Sequence, residues 1–269
     1  MSATIYLHEF RIRMRSVIIW SVSVAAIIFF FFAIFPGFAA QAALVTQMMS
    51  KFPPALLEAF GMNRTNLATV TGFYSFIFIF VQLCLAIQAG NYGFGLVSVE
   101  ENELTADFLL SKPVSRSQVL TSKLLAALTS LTITNAVVWV VTFVAIAIFH
   151  GSYTYESGPL VLLLASIVIF QLFFMAVGLV ISLLVRRVRS VTPYSLGLGF
   201  GMYVLSAFIG MFGTSALEYI TPFKHLDPVF IVQNGRFDTP LVLLNVAVSL
   251  IALGISYWLY IRRDIHAVS

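Results

Sequence analysis

From Thr65 to Val99, and again from Leu124 to Tyr155, the chain carries no Asp, Glu, Lys or Arg. A run of that length without charge has no water-facing side, and crossing about 30 Å of hydrocarbon takes about 20 helical residues. Lone strands would leave backbone groups unpaired in lipid, so such runs are helices. Four further stretches meet the same test, giving six expected spans at about 17–38, 72–98, 124–149, 160–185, 193–213 and 241–261. Composition agrees. Of 269 residues 60% are hydrophobic and 10% charged, whereas soluble domains devote about a quarter to charge. The chain is read as an all-α integral membrane protein with one transmembrane domain, 1–269, without internal repeat or low-complexity tract.

The formal charge of +4 and pI near 9.3 reflect topology, not nucleic acid. With the N-terminus inside, 11 basic residues fall on the cytoplasmic side: Arg11, Arg13, Arg15, Lys112, Arg116, Lys123, Arg186, Arg187, Arg189, Arg262 and Arg263. Only 4 fall outside, Lys51, Arg64, Lys224 and Arg236. This positive-inside bias predicts both termini in the cytoplasm of a multi-pass cell-membrane protein, and a bacterial plasma membrane is expected. The apolar run after the polar MSATIYLHEFRIRMR is too long for a cleaved signal and is read as a retained span. Residues 4–16 are expected as an amphipathic helix on the inner leaflet. In the outer loop 39–71, Pro54 suits a first helical turn and Gly61 a stop, predicting a short interfacial helix. Residues 214–240 are too apolar for a free loop and too broken by Pro222, Pro228 and Gly235 for a span, so they are expected to dip back into the outer face.

Between the two uncharged runs lies EENELTADFLLSKPVSRSQVLTSK. Asn102 can cap a helix starting at Glu103, with Glu100, Glu101 and Glu103 at the end the helix dipole favours for negative charge. Leu104 and Phe108 share one face, and Glu103 and Asp107 the next. Lys112-Pro113 stops the helix, and Ser115 with Gln118 forms a capping-box pattern that opens the third span. A solvated turn is the plain alternative. Two turns of helix are too short to be stable alone, so lipid headgroups, another span or a partner must pack on Leu104 and Phe108.

This segment resembles the signature of type-2 ABC-transporter permeases, the membrane subunits of ATP-driven exporters. The likeness extends to RMRSVIIWS, PPALLEAFG, TPFKHLDP and the terminal RRDI, and so covers nearly the whole chain, with its specific part in about 25 residues. Glu100, Glu101, Asp107, Leu109, Leu110, Pro113, Ser115, Arg116 and Lys123 stand on the family motif. Asn102-Glu103 departs from it where many relatives have a glycine. The resemblance implies a six-span fold with a cytoplasmic coupling helix that docks an ATPase on a separate chain. Glu100, Glu101, Glu103, Leu104, Asp107, Phe108, Leu109, Arg116 and Lys123 are the docking candidates. It further implies two ATPase subunits carrying ATP and Mg, a second permease subunit (identical or sibling), and second and fifth spans lining the route.

No cofactor, metal or catalytic residue is expected in this chain itself. It has no G-x-x-x-x-G-K-[ST], and GNYGFG at 90–95 lies in a span, where close helix packing explains it. Glu100-Glu101 resembles the glutamate pair of membrane CAAX-type proteases, but Thr105 stands where arginine is needed. His8, His150, His225 and His266 form no H-E-x-x-H, and His225 with Asp227 has no G-x-S-x-G nucleophile to orient. Span interiors without ionisable residues argue against a secondary transporter driven by an ion gradient. Gln82, Gln88, Asn91, Asn135, Gln171 and Asn245 are read first as interhelical hydrogen-bonders worth about 1 kcal/mol each. The alternative is a pathway, for which Gln82, Gln88, Tyr203 and Phe208 are the candidates. Gly197 and Gly201 in the fifth span have a spacing that permits close helix approach, and 26 phenylalanines hint at amphipathic or hydrophobic cargo. The rival from another class is a membrane immunity or scaffold protein that binds a peptide through its outer loops.

Overall fold

Uninterrupted apolar runs fold here into helices that outlast the bilayer. The computed structural model describes residues 2–59, 61–102, 114–185, 188–213 and 215–262. Among these there is no strand. Six helices are long and apolar enough to cross a membrane: α1 (Ala3–Ala40), α4 (Val70–Asn102), α5 (Arg116–Phe149), α6 (Ser157–Leu184), α7 (Val191–Phe212) and α10 (Thr239–Arg262). Short helices α2 (Ala42–Met49), α3 (Pro54–Ala59), α8 (Pro222–His225) and α9 (Pro228–Asn234) connect them at one end. The first residues of α1, the last of α4, the first of α5 and the last of α10 lie at the other, here called the terminal end.

The expected amphipathic helix 4–16 and span 17–38 are one continuous helix, α1. Nothing between Met14 and Ile18 breaks a helix, so helical geometry carries through. At 38 residues it is about 57 Å long, far more than the hydrocarbon needs, and its charged first turns fall beyond the apolar part. Other boundaries follow local chemistry. Ser115 Oγ accepts from the Gln118 amide at 3.2 Å and Gln118 Oε1 from the Ser115 amide at 3.1 Å, the capping box expected at the start of α5. Pro54 opens α3, and Gly61 beyond it has φ +66°, a left-handed conformation that glycine adopts without Cβ strain.

α4 and α6 form the centre. In each, 61% of the most apolar window is buried, against 17% for α7 and 22% for α10. α1 lies along α5, α6 along α4 and α10, and α7 along α4. The close approach of α4 and α6 depends on Gly93, where a Cβ would overlap the Met175 carbonyl oxygen, and on Gly178, which faces the Gly90 carbonyl. GNYGFG is thus a packing seam. Aromatic side chains fill the rest: Phe35 meets Phe73 with ring centroids 5.2 Å apart, and Phe170 meets Phe223 edge-on at 5.0 Å. Within residues 215–240, Phe223, Leu226, Val229 and Ile231 are buried. Asp227 caps α9 through the Val229 amide at 2.9 Å.

Candidate functional site

The polar groups of the terminal end converge on the first turns of α5, immediately after the 103–113 segment. Arg116 donates to the Ile261 carbonyl of α10 at 3.2 Å. Thr121 and Tyr257 share a hydrogen bond at 2.8 Å. The Ser2 amide donates to Ser122 Oγ at 2.8 Å, and Tyr6 meets Thr129 at 3.1 Å. Lys123 is 2% exposed, yet its ammonium is fully engaged. It donates to the Leu96 carbonyl of α4 at 2.7 Å and lies 3.3 Å from Glu9 Oε1 of α1. Arg13 holds the other Glu9 oxygen at 2.5 Å and also donates to the Glu9 carbonyl. A buried cation is tolerated only when paired and hydrogen-bonded, and here three helices meet on one.

A second polar chain runs inward from this point. Gln88 Nε2 donates to Thr134 Oγ1 at 2.9 Å and to the Tyr92 hydroxyl at 3.3 Å; that hydroxyl donates to Ser16 Oγ at 3.3 Å. Ser195 of α7 donates to Asn91 Oδ1 of α4 at 2.7 Å. Buried hydroxyls and amides therefore tie α1, α4, α5 and α7 together. The arrangement suits mechanical transmission, since a displacement applied at the start of α5 reaches α1, α4 and α10 directly.

The docking candidates divide accordingly. Glu100 and Glu101 belong to α4, which is helical to Asn102; the helix expected to start at Glu103 lies outside the described residues. Glu103, Leu104, Asp107, Phe108 and Leu109, with Leu110 and Pro113, lie outside the described residues. Arg116 is at the exposed start of α5. Lys123 is buried, and its charge is met by Glu9 and the Leu96 carbonyl inside the protomer, where it braces α1, α4 and α5.

Of the pathway candidates, Gln82 and Tyr203 line one small cleft of about 30 Å³ beside Phe223, Lys224 and Asp227. Gln82 is buried and donates to the Leu226 carbonyl at 2.9 Å. Gln88 is enclosed in the α4–α5 contact, and Phe208, 50% exposed, is not part of that cleft. The four do not converge.

At the end opposite the termini, Arg64 pairs with Glu58 at 3.0 Å and with Asp227 at 3.5 Å, stapling α3 to α9; Gln233 donates to the Arg64 carbonyl. A cavity of about 130 Å³ beside it is lined by Arg64, Glu218, Lys224, His225 and Asp238 among others. His225 is buried, which pushes its imidazole below the ordinary 6.5 despite the opposing pull of the Tyr219 and Glu218 backbone and of Asp238. A neutral ring fits its neighbour, since Nδ1 lies 3.4 Å from the Asn245 amide nitrogen and can accept from it.

Glu9 and Tyr92 were not singled out from the sequence. An acid on an otherwise basic helical turn, three residues from Ile12 and four from Arg13, was the available signal for Glu9; Tyr92 inside an apolar span offered none. Compared with known protein families, residues 3–265 match the family described as ABC-2 family transporter protein. No curated protein and no solved structure matches the chain.

Proposed function

Because the chain belongs to the ABC-2 family of transporter proteins, and so is a membrane permease component of an ABC transporter, we propose that it exports its substrate using ATP hydrolysed by separate cytoplasmic subunits. The docking element is the 100–123 segment. The observation that carries this reading is the position of α5, whose first turns, from Arg116 to Lys123, form the end of that segment and are bonded to α1, α4 and α10. A push on the segment would therefore move four spans together. In this reading two ATPases, holding ATP and Mg, grip two permease subunits, the terminal end faces the cytoplasm, and the 11-to-4 distribution of basic residues supports that orientation.

The second permease subunit is assigned to the face of α7. Phe200, Val204 and Phe208 are exposed there, and a Cβ at Gly197 or Gly201 would meet nothing within 4 Å. The G-x-x-x-G spacing is unused inside the protomer and is available to a partner helix.

The test is gentle detergent purification of the protein co-expressed with its ATPase. The wild type should bring the ATPase with it. Phe108→Ala combined with Glu101→Lys should insert and fold normally but arrive without it. Retention of the ATPase at the wild-type ratio would falsify docking through this segment. Reporters fused after Lys112 and after Tyr155 should read cytoplasm and exterior respectively; the reverse overturns the orientation.

A further inference from the structure

Between α1 and α4, next to α2 and α3 and far from the polar site, lies a cavity of about 440 Å³. Met48 and Met49 of α2 and Leu57 of α3 contribute to its wall, as do Phe31 of α1 and Phe73 and Phe76 of α4. Its lining is apolar throughout. A water molecule needs two to four polar partners, and this wall supplies none.

The cavity is open toward the bilayer. Ile34 of α1 lines it and is 47% exposed, and Met48 at 56% and Phe52 at 52% are exposed at the α2 side. These belong to the apolar outer surface of α1 and α2, so the cavity is continuous with the face that lipid covers. α2 buries none of its eight residues, which leaves its methionines free to close over an occupant. Lys51, on the turn after α2, stands between the lining residues Met49 and Phe52 and is exposed.

We propose that this cavity holds one acyl chain of a bilayer phospholipid, with the lipid phosphate at Lys51. Size favours a chain. An apolar cavity of about 150 Å³ takes one benzene, and this one is about three times larger, within the range of ligand pockets. Access favours it too, since a tail can enter sideways from the bilayer while its headgroup stays at the surface. An exposed lysine on the turn between two lining residues can keep its ammonium in the headgroup region and so complement a phosphate. The bound lipid would fasten α2 and α3 to α1 and α4, and through α3 the Arg64 staple.

The full chain is reconstituted in nanodiscs of phosphatidylcholine and phosphatidylglycerol carrying a photoactivatable diazirine on the acyl chain. Labelled peptides are then mapped by mass spectrometry. Labelling at Met48, Met49 and Phe76 should exceed severalfold that at Val140 and Ile251, which are exposed on the lipid-facing surfaces of α5 and α10. Leu57→Trp and Met49→Trp, which fill the space, should each abolish the excess and leave Val140 labelling unchanged; two positions guard against one variant misfolding. Lys51→Glu should reduce phosphatidylglycerol labelling relative to phosphatidylcholine. Cavity labelling no greater than at Val140, an excess that survives both filling variants, or protein-to-protein cross-links at Met48 in place of lipid would overturn the proposal. An unchanged lipid preference in Lys51→Glu would overturn the headgroup assignment. None of these outcomes depends on ATPase docking.

Discussion

Lys123 brings the energetics of single residues into focus. Its ammonium is enclosed with Glu9, which also answers Arg13, so removing it strands a carboxylate that retains one partner and takes a second, side-chain donor from the Leu96 carbonyl. Removing one member of a buried pair costs about 3–5 kcal/mol; with Arg13 still in place, Lys123→Met should cost about 3 kcal/mol, read as a lowered unfolding midpoint in detergent. Glu9→Gln added to it should cost less than the two single changes together, because the carboxylate that Lys123→Met strands is then gone. A strictly additive result would remove the pair from the account. The residue type was legible in sequence and its role was not. Lys123 belongs to a motif-like run that reads as a docking surface, while Glu9 lies far away in the chain, and only folding brings the two within 3.3 Å.

Elements were more legible, because their signals are local. Ser115 with Gln118 marked the start of α5, and Pro54 with Gly61 bracketed α3, through caps that need only near neighbours. The merging of 4–16 with the first span follows the same logic in reverse, since a change of polarity without a breaker does not end a helix. The contact between elements is where size decides. Gly93→Ala sets a methyl against a backbone oxygen of Met175 that cannot rotate away, and overpacking of this kind costs about 1–3 kcal/mol. The upper end is expected, as a reduced melting temperature with α4 and α6 spread apart. Gly254→Ala in α10 meets nothing within 4 Å and should leave stability unchanged or raise it slightly, given the better helix propensity of alanine. Equal effects at the two positions would remove the packing seam from the argument.

At the scale of the molecule, an enclosed α4–α6 pair stands against an uncovered α7, and this asymmetry sets what association would look like. At Gly201 a Cβ would meet nothing of the protomer within 4 Å, so Gly201→Leu adds its bulk to the open face of α7. It should leave the melting temperature near wild type while lowering the yield of cross-links between copies and the ATPase-bound dimer seen by native mass spectrometry. If paired subunits persist at the wild-type level, the second subunit does not meet this face. A filled α7 that also unfolds the protomer is not expected, because no side chain has to move to admit it.

The number of spans and the capping box that opens α5 were determined by the sequence alone, because apolar run length and capping chemistry depend on residues adjacent in the chain and on partition between water and lipid. Which spans lie inside was decided by the tertiary structure. α4 and α5 are about equally apolar, yet 61% of the best window is buried in one and 39% in the other. Lipid and protein interior are equally good solvents for leucine and phenylalanine, so hydrophobicity cannot rank spans by depth. Interdigitating shape and a few buried hydrogen bonds do that, and they involve residues such as Gly93 and Met175 or Glu9 and Lys123, which meet only once the helices have packed.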